Sequence, residues 1–288
     1  MAVDAVLLLQ FGAPVAIAAA GETLTQKSGV INIGIEGQML AGAFFGLLVD
    51  SITRNPWLGV LGAVGAALLL ALTFAIFSVY LAADQVVVGT AMNLLSLGVT
   101  GTLFRAEFGQ TGTLSTVPLL PNWHGLDPIV VAGMLGLCVI AFALKRTKWG
   151  LAVRAAGEYP DAVEAAGLSV HRLRMQAVTL GGMFAGLGGA YLTLVFTPAF
   201  AENMTQGKGF VAIAMVTFGR WNSWRVLVAS LAVGAIGALQ YWFQAANSAV
   251  PYQLFLALPY LTSLLILVIM GKGTRAPAAL AREFRRSS

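Results

Sequence analysis

Residues 27–40 read KSGVINIGIEGQML, a run that leads into a long apolar segment yet carries Lys27, Asn32, Glu36 and Gln38 among Gly29, Gly34 and Gly37. The surrounding composition makes that polarity informative. The chain is 58% hydrophobic and 10% charged with a mean hydropathy of +0.82, whereas a soluble domain carries about 25% charged residues. The polar stretch therefore belongs to an integral membrane protein, where each such side chain is costly in hydrocarbon and faces a cavity or another helix. If residues 32–49 continue as one helix, Asn32 and Glu36 are four apart and share a face, with Gln38 close by.

Outward from this stretch, further apolar segments lie at 5–21, 57–81, 85–104, 128–144, 175–196, 209–219, 225–244 and 251–270. Most approach the roughly 20 residues that a bilayer-crossing helix needs, and the shorter ones suit re-entry. The expected fold is all-α, a polytopic helical membrane protein of about eight to ten transmembrane or re-entrant helices. The stretch VLLLQFGAPVAIAAAG ends in small residues as a signal peptide does, but lacks a positive n-region, so it is read as a retained first helix. Cys138 has no cysteine partner, which removes a disulfide framework and a cysteine metal site.

The net charge of +5 sits near segment ends, the pattern that sets membrane topology rather than the footprint of a nucleic-acid binder. Lys145, Arg146, Lys148, Arg154, Arg172 and Arg174 cluster in one connection, and Lys272, Arg275, Arg282, Arg285 and Arg286 in the tail. Both groups are expected in the cytoplasm, with the loop at about 105–127 outside. The last residues, 276–288, read as a basic tail suited to anionic lipid.

In the 85–104 segment, Thr90, Asn93 and Ser96 recur at i, i+3 and i+6 and draw a second polar stripe. Gly182, Gly186 and Ala190, flanked by Gly181, Ala185 and Gly189, and Gly59, Ala63 and Ala67 form small-residue faces that let helices approach closely. Catalytic apparatus is absent from the sequence. His124 and His171 are both expected in loops, and there is no HExxH, GxSxG or Walker GxxxxGK[ST] motif. No metal and no cofactor is expected in this chain. The stretch 148–176 reads instead as a turn at Tyr159–Pro160, a short helix from Asp161 to Ala166, and a stop at Gly167, an element with no use in lipid that suits docking of a cytosolic partner.

At these residues the chain resembles the permease subunits of bacterial ABC importers in the branched-chain amino acid, ribose and nucleoside superfamily. The cytoplasmic loop of that family ends in EAA and glycine, matched here by Glu164, Ala165, Ala166 and Gly167 after RAAGEYPDAV. The stretches TLTQKSGVINIGIEGQML, DQVVVGTAMNLL and GKGFVAIAMVTFGRWN are similar to the simple sugar or nucleoside subgroup. The resemblance implies one transmembrane permease domain over 1–275 with a coupling loop at about 145–174, in a bacterial inner membrane. It implies a coupling helix in which Glu158, Asp161, Glu164, Ala165, Ala166 and Gly167 meet an ABC ATPase subunit. It also implies a second permease subunit, a paralogue more readily than an identical copy, and an extracellular or lipid-anchored solute-binding protein. Asn32, Glu36, Gln38, Thr90, Asn93 and Ser96 are then the candidates to border the path of a small polar solute, with Glu36 either lining that path or bracing a neighbour.

The rival reading is an ATP-independent secondary transporter, which would place two or more coupling carboxylates inside the membrane; Glu36 is the main one on offer. Few intramembrane charges argue against ionic solutes. The order of expectation is nucleoside, then simple sugar, then branched-chain amino acid. Phe44, Phe45, Phe104, Tyr191, Phe196 and Trp242 are the rings available either for stacking or for packing.

Overall fold

The computed structural model describes the backbone of residues 5–109, 118–121, 127–245, 261 and 275–284. Ten α-helices occupy these residues: α1 (Ala5–Lys27), α2 (Ile35–Thr53), α3 (Pro56–Ala75), α4 (Gln85–Phe108), α5 (Pro128–Arg146), α6 (Lys148–Glu158), α7 (Pro160–Ala165), α8 (Val170–Tyr191), α9 (Lys208–Phe218) and α10 (Ser223–Ala245). Two of them lengthen through wide π-helical turns, α3 to Tyr80 and α8 to Phe196. Among the described residues there is no strand, and five helices are long and apolar enough to cross a membrane: α2, α3, α4, α5 and α8. The protein is all-α and multi-pass. The expected segment at 251–270 and His124 lie outside the described residues, apart from Leu261.

Local chemistry sets the helix starts. Asn55 accepts from the Trp57 amide with Pro56 in the first position, Asp84 accepts from Val86 and Val87, and Thr147 accepts from Gly150. Each supplies an oxygen to amides that the helix itself leaves orphaned.

Helix α8 packs against α1, α2 and α3, and α1 lies between α8 and α10. The small-residue faces make this possible. Gly182 and Gly186 seat on Ala71 and Ala67 of α3, Gly181 meets Gly21 of α1, and Gly189 meets the Met39 backbone of α2. Backbones come this close only where no larger side chain intervenes, and close packing is what holds helices together in lipid. Leucines and phenylalanines face outward on the periphery, as at Leu94 of α4 and at Leu135, Val139 and Phe142 of α5. That inverted pattern fits a hydrocarbon surround.

Several expectations change. The first helix reaches Lys27 rather than ending at 21, so Glu22 and Gln26 are helical and buried. The 85–104 helix extends to Phe108, into the expected outer loop. His171 belongs to the first turn of α8, its ring against Tyr80 and Phe284. Residues 275–284 of the tail pack on protein: the Ala279 amide donates to Gly157 at 2.9 Å and Ala281 to Gly29 at 3.1 Å. An apolar residue in the tail, Phe284, provides the reason; it is buried with Val153, Val163 and Leu173.

Candidate functional site

The opening stretch is a break between α1 and α2. Residues 28–34 are not helical, Gly29 has φ +94, and α2 starts only at Ile35 with Gly34 before it. Asn32 and Glu36 therefore do not share a helix face. A chain break inside a membrane protein leaves amides and carbonyls that lipid cannot satisfy, and here polar side chains satisfy them, Asn93 among those that the sequence singles out and Glu22 and Gln85 beyond them. The Ile31 amide donates to Gln85 Oε1 at 2.8 Å, and the Asn32 amide to Glu22 Oε1 at 3.2 Å. Asn93 of α4 bridges the break, accepting from the Gly37 amide at 2.8 Å and donating to the Ile33 carbonyl at 2.9 Å.

Behind the break lies a connected polar core. Asn32 Nδ2 donates to Gln38 Oε1 at 2.8 Å, and Gln38 returns a bond to Asn32 Oδ1 at 3.3 Å. Gln26 donates to Glu22 and accepts from the Trp221 indole at 2.8 Å. Asn32, Gln38, Glu22 and Gln26 are all buried.

Glu36 ties two helix starts together. Its Oε1 accepts from the Gly207 amide and its Oε2 from the Gly209 amide, each at 2.7 Å. Glu36 itself occupies the first turn of α2, so the carboxylate sits at the positive ends of α2 and α9 together, with the Lys208 ammonium close by. Gly207 holds φ +82, a left-handed conformation that glycine adopts without strain, and a Cβ on Gly209 would strike Glu36. Glu36 braces a neighbour.

The second stripe divides. Asn93 is half-buried in the break, Ser96 is buried at 3% exposure with no partner for its hydroxyl, and Thr90 points outward with its hydroxyl on its own helix at Val86. Two buried carboxylates escaped the sequence reading. Glu22 fell just beyond the apolar run that defined the first segment; Asp50, fully buried near the end of α2, has no hydrogen-bond partner for either oxygen. With Glu36 this makes three, enough for the two or more that a carboxylate-coupled transporter would place in the membrane; Glu36 has both oxygens on backbone amides, whereas Glu22 holds Gln26 and the break through Oε1 alone and its Oε2 has no hydrogen-bond partner.

Above Glu36, rings pack on rings. Phe44 meets Phe45 and Phe200, and Phe104 meets Phe200 and Phe108, with centroids 5.2–5.4 Å apart. Phe44 and Tyr191 are fully buried, so these rings serve packing. Arg105 and Glu202 pair at 3.5 Å beside the cluster.

The expected short helix is present as α7. Gly167 at φ +80 ends it, with the Leu168 amide donating to Val163 and the Gly167 amide to Glu164, the paired bonds of a glycine-terminated helix. Glu164 turns back to accept from the Val170 amide at 2.9 Å, fixing the start of α8, and Glu158 accepts from Ala278. Tyr159, Asp161, Ala165, Ala166, Gly167 and Leu168 are exposed, Tyr159 at 71% and Leu168 at 48%. The element is a knob, anchored on one side and on the other exposing Tyr159 and Leu168 beside the charged Asp161.

Residues 5–270 match the family model described as the branched-chain amino acid transport system permease component. The guanosine ABC transporter permease protein NupQ of Bacillus subtilis is 31% identical, with 95% of this chain and 92% of that protein covered. TsgC13 of Haloferax volcanii, provisionally named a glucose ABC transporter permease, is also 31% identical, with 94% and 93% covered. A further guanosine ABC transporter permease protein of Bacillus subtilis, NupP, is 26% identical over 74% of this chain and 67% of its own. No solved structure matches. With a matched span that takes in the break, the stripe and the knob alike, the chain belongs to the branched-chain amino acid transport system permease family.

Proposed function

We propose that this permease is the membrane subunit of an ATP-driven nucleoside importer. The observation that carries the reading is the pairing of two features in one chain: a helix break held by Asn32, Gln38, Glu36 and Asn93 at a membrane-spanning helix start, and a projecting helix, α7, with exposed apolar residues. Non-helical backbone of this kind is tolerated where it borders a cavity or packed protein, and transporters place their sites at such discontinuities. The solute path runs beside the break, with Asn32, Glu36, Gln38, Asn93 and Ser96 shaping its wall and Glu36 bracing it; Thr90 faces away.

In this reading α7 lies in the cytoplasm and docks on an ABC ATPase subunit, which hydrolyses ATP in place of this chain. Because ATPases of this class act as a pair and one chain has one knob, a second permease completes the path; a paralogue is favoured by the match to two guanosine permease proteins of one organism. A solute-binding protein delivers solute from outside. Nucleoside stands ahead of simple sugar on the two guanosine permease proteins among the relatives, with glucose the runner-up on TsgC13, and the few charges within the membrane suit a neutral solute.

Competition decides the solute. In vesicles carrying this chain with its partner subunits, uptake of radiolabelled adenosine is expected to fall when unlabelled guanosine is added and to persist with excess ribose, glucose or leucine. Inhibition by ribose or glucose alone would replace nucleoside by sugar.

A further inference from the structure

Arg174 reads in the sequence as one of a cluster of surface bases, but it is buried at 2% exposure, one turn into α8. Its Nε donates to the Ser28 carbonyl at 3.2 Å and its Nη1 to the Arg282 carbonyl at 2.9 Å. Nη2 has no hydrogen-bond partner and lies against Gly29, where any side chain would collide with it. One guanidinium thus joins the start of the helix break, the first turn of α8 and the C-terminal segment.

Two of these, the start of α8 and the C-terminal segment, are also fastened to the knob, and the break is reached through the second. The start of α8 is held to α7 through Glu164 and the Val170 amide. The C-terminal segment reaches the end of α6 through Ala279 to Gly157 and Ala278 to Glu158, and the break through Ala281 to Gly29. Phe284 is buried beside Val163 of α7 and Leu173 of α8. A displacement of α7 therefore has a packed, hydrogen-bonded route to residues 28–29 that does not pass along the lengths of α8 and α1.

We propose that Arg174, seated by residues 278–284, is a positioning residue that carries movement of α7 to the helix break. This rests on the reading of α7 as the site of ATPase docking. A planar guanidinium can hold two carbonyls at a fixed angle, which an ammonium cannot, and a buried pin of this kind is lost once either carbonyl moves away.

The test is the amount of solute accumulated per ATP hydrolysed by the assembled transporter in proteoliposomes, using whichever of adenosine, guanosine or glucose the wild type accumulates. Arg174→Gln and Phe284→Ala are expected to keep hydrolysing ATP while accumulation per ATP falls at least about fivefold, the lower end of coupling between distant sites. Arg174→Lys should lie between them and wild type. A merely structural role would lower accumulation and hydrolysis together and leave their ratio unchanged, and that result overturns the proposal. If Arg174→Gln does not assemble, Phe284→Ala decides by the same ratio, since it leaves the guanidinium in place. Failure of the wild type to accumulate any of the solutes would count against the importer reading, which is thus judged on a separate arm.

Discussion

Glu36 shows how a carboxylate is accommodated at the start of a membrane-spanning helix. Both oxygens are taken by backbone amides, Gly207 and Gly209, and two helix starts point at it. Glu36→Gln keeps the shape but turns an amide donor toward one of those amides, and Glu36→Ala leaves both unpaired, at about 1–3 kcal/mol for each buried donor. The expected result is a lower melting midpoint in detergent, by several degrees for Gln and more for Ala. Asn93→Leu strands the Gly37 amide and the Ile33 carbonyl together; its yield of folded protein should fall along with uptake, and normal yield with lost uptake would mark Asn93 as lining the path instead of bracing it. The sequence located these residues but misjudged their geometry. Nothing in INIGIE signals that the helix begins at Ile35, because Gly34 provides no side-chain cap, and the turn at Gly29 is visible only as a glycine. Glu22 was missed since apolar periodicity fades before it, although its role is to serve the amide of Asn32.

At the scale of elements, α7 was legible almost to the residue because its stop is chemical: a left-handed glycine with two returning hydrogen bonds. Gly167→Arg forces a side chain into that conformation at roughly 1–2 kcal/mol and is expected to abolish ATP-dependent uptake while the protein stays in the membrane. Glu164→Lys should do more harm to the fold, since the Glu164 carboxylate also holds the start of α8. Leu168→Glu separates docking from folding: the side chain is exposed, so the melting midpoint should not change, whereas binding of the ATPase subunit should weaken by about 2 kcal/mol if this is a buried anchor of the complex. Unchanged ATPase binding would remove α7 as the docking element. The glycine faces of α8 were equally legible, for small residues at every fourth position have few uses other than close approach. Their partners were not, because which helix meets which depends on tertiary packing. Gly182→Leu would drive a side chain into Ala71 of α3 and is expected to prevent accumulation of folded protein, checked by size-exclusion of the detergent extract.

For the whole molecule, composition alone gave the class, and the order of apolar segments gave most of the helices. The C-terminal segment departed furthest from expectation. Its bases suggested lipid, while the contacts that place it come from three backbone amides, the Arg282 carbonyl and Phe284, and backbone donors and acceptors leave no mark in a sequence. The reading that unites break, knob and tail is a permease whose path is driven through α7 by ATP hydrolysed elsewhere. Accumulation of radiolabelled adenosine in proteoliposomes of the assembled transporter, with and without ATP on the side of α7, tests it most directly. The account predicts accumulation against a gradient with ATP and none without it; accumulation that proceeds equally without ATP would contradict it and return the buried carboxylates Glu22 and Asp50 to the centre of the mechanism.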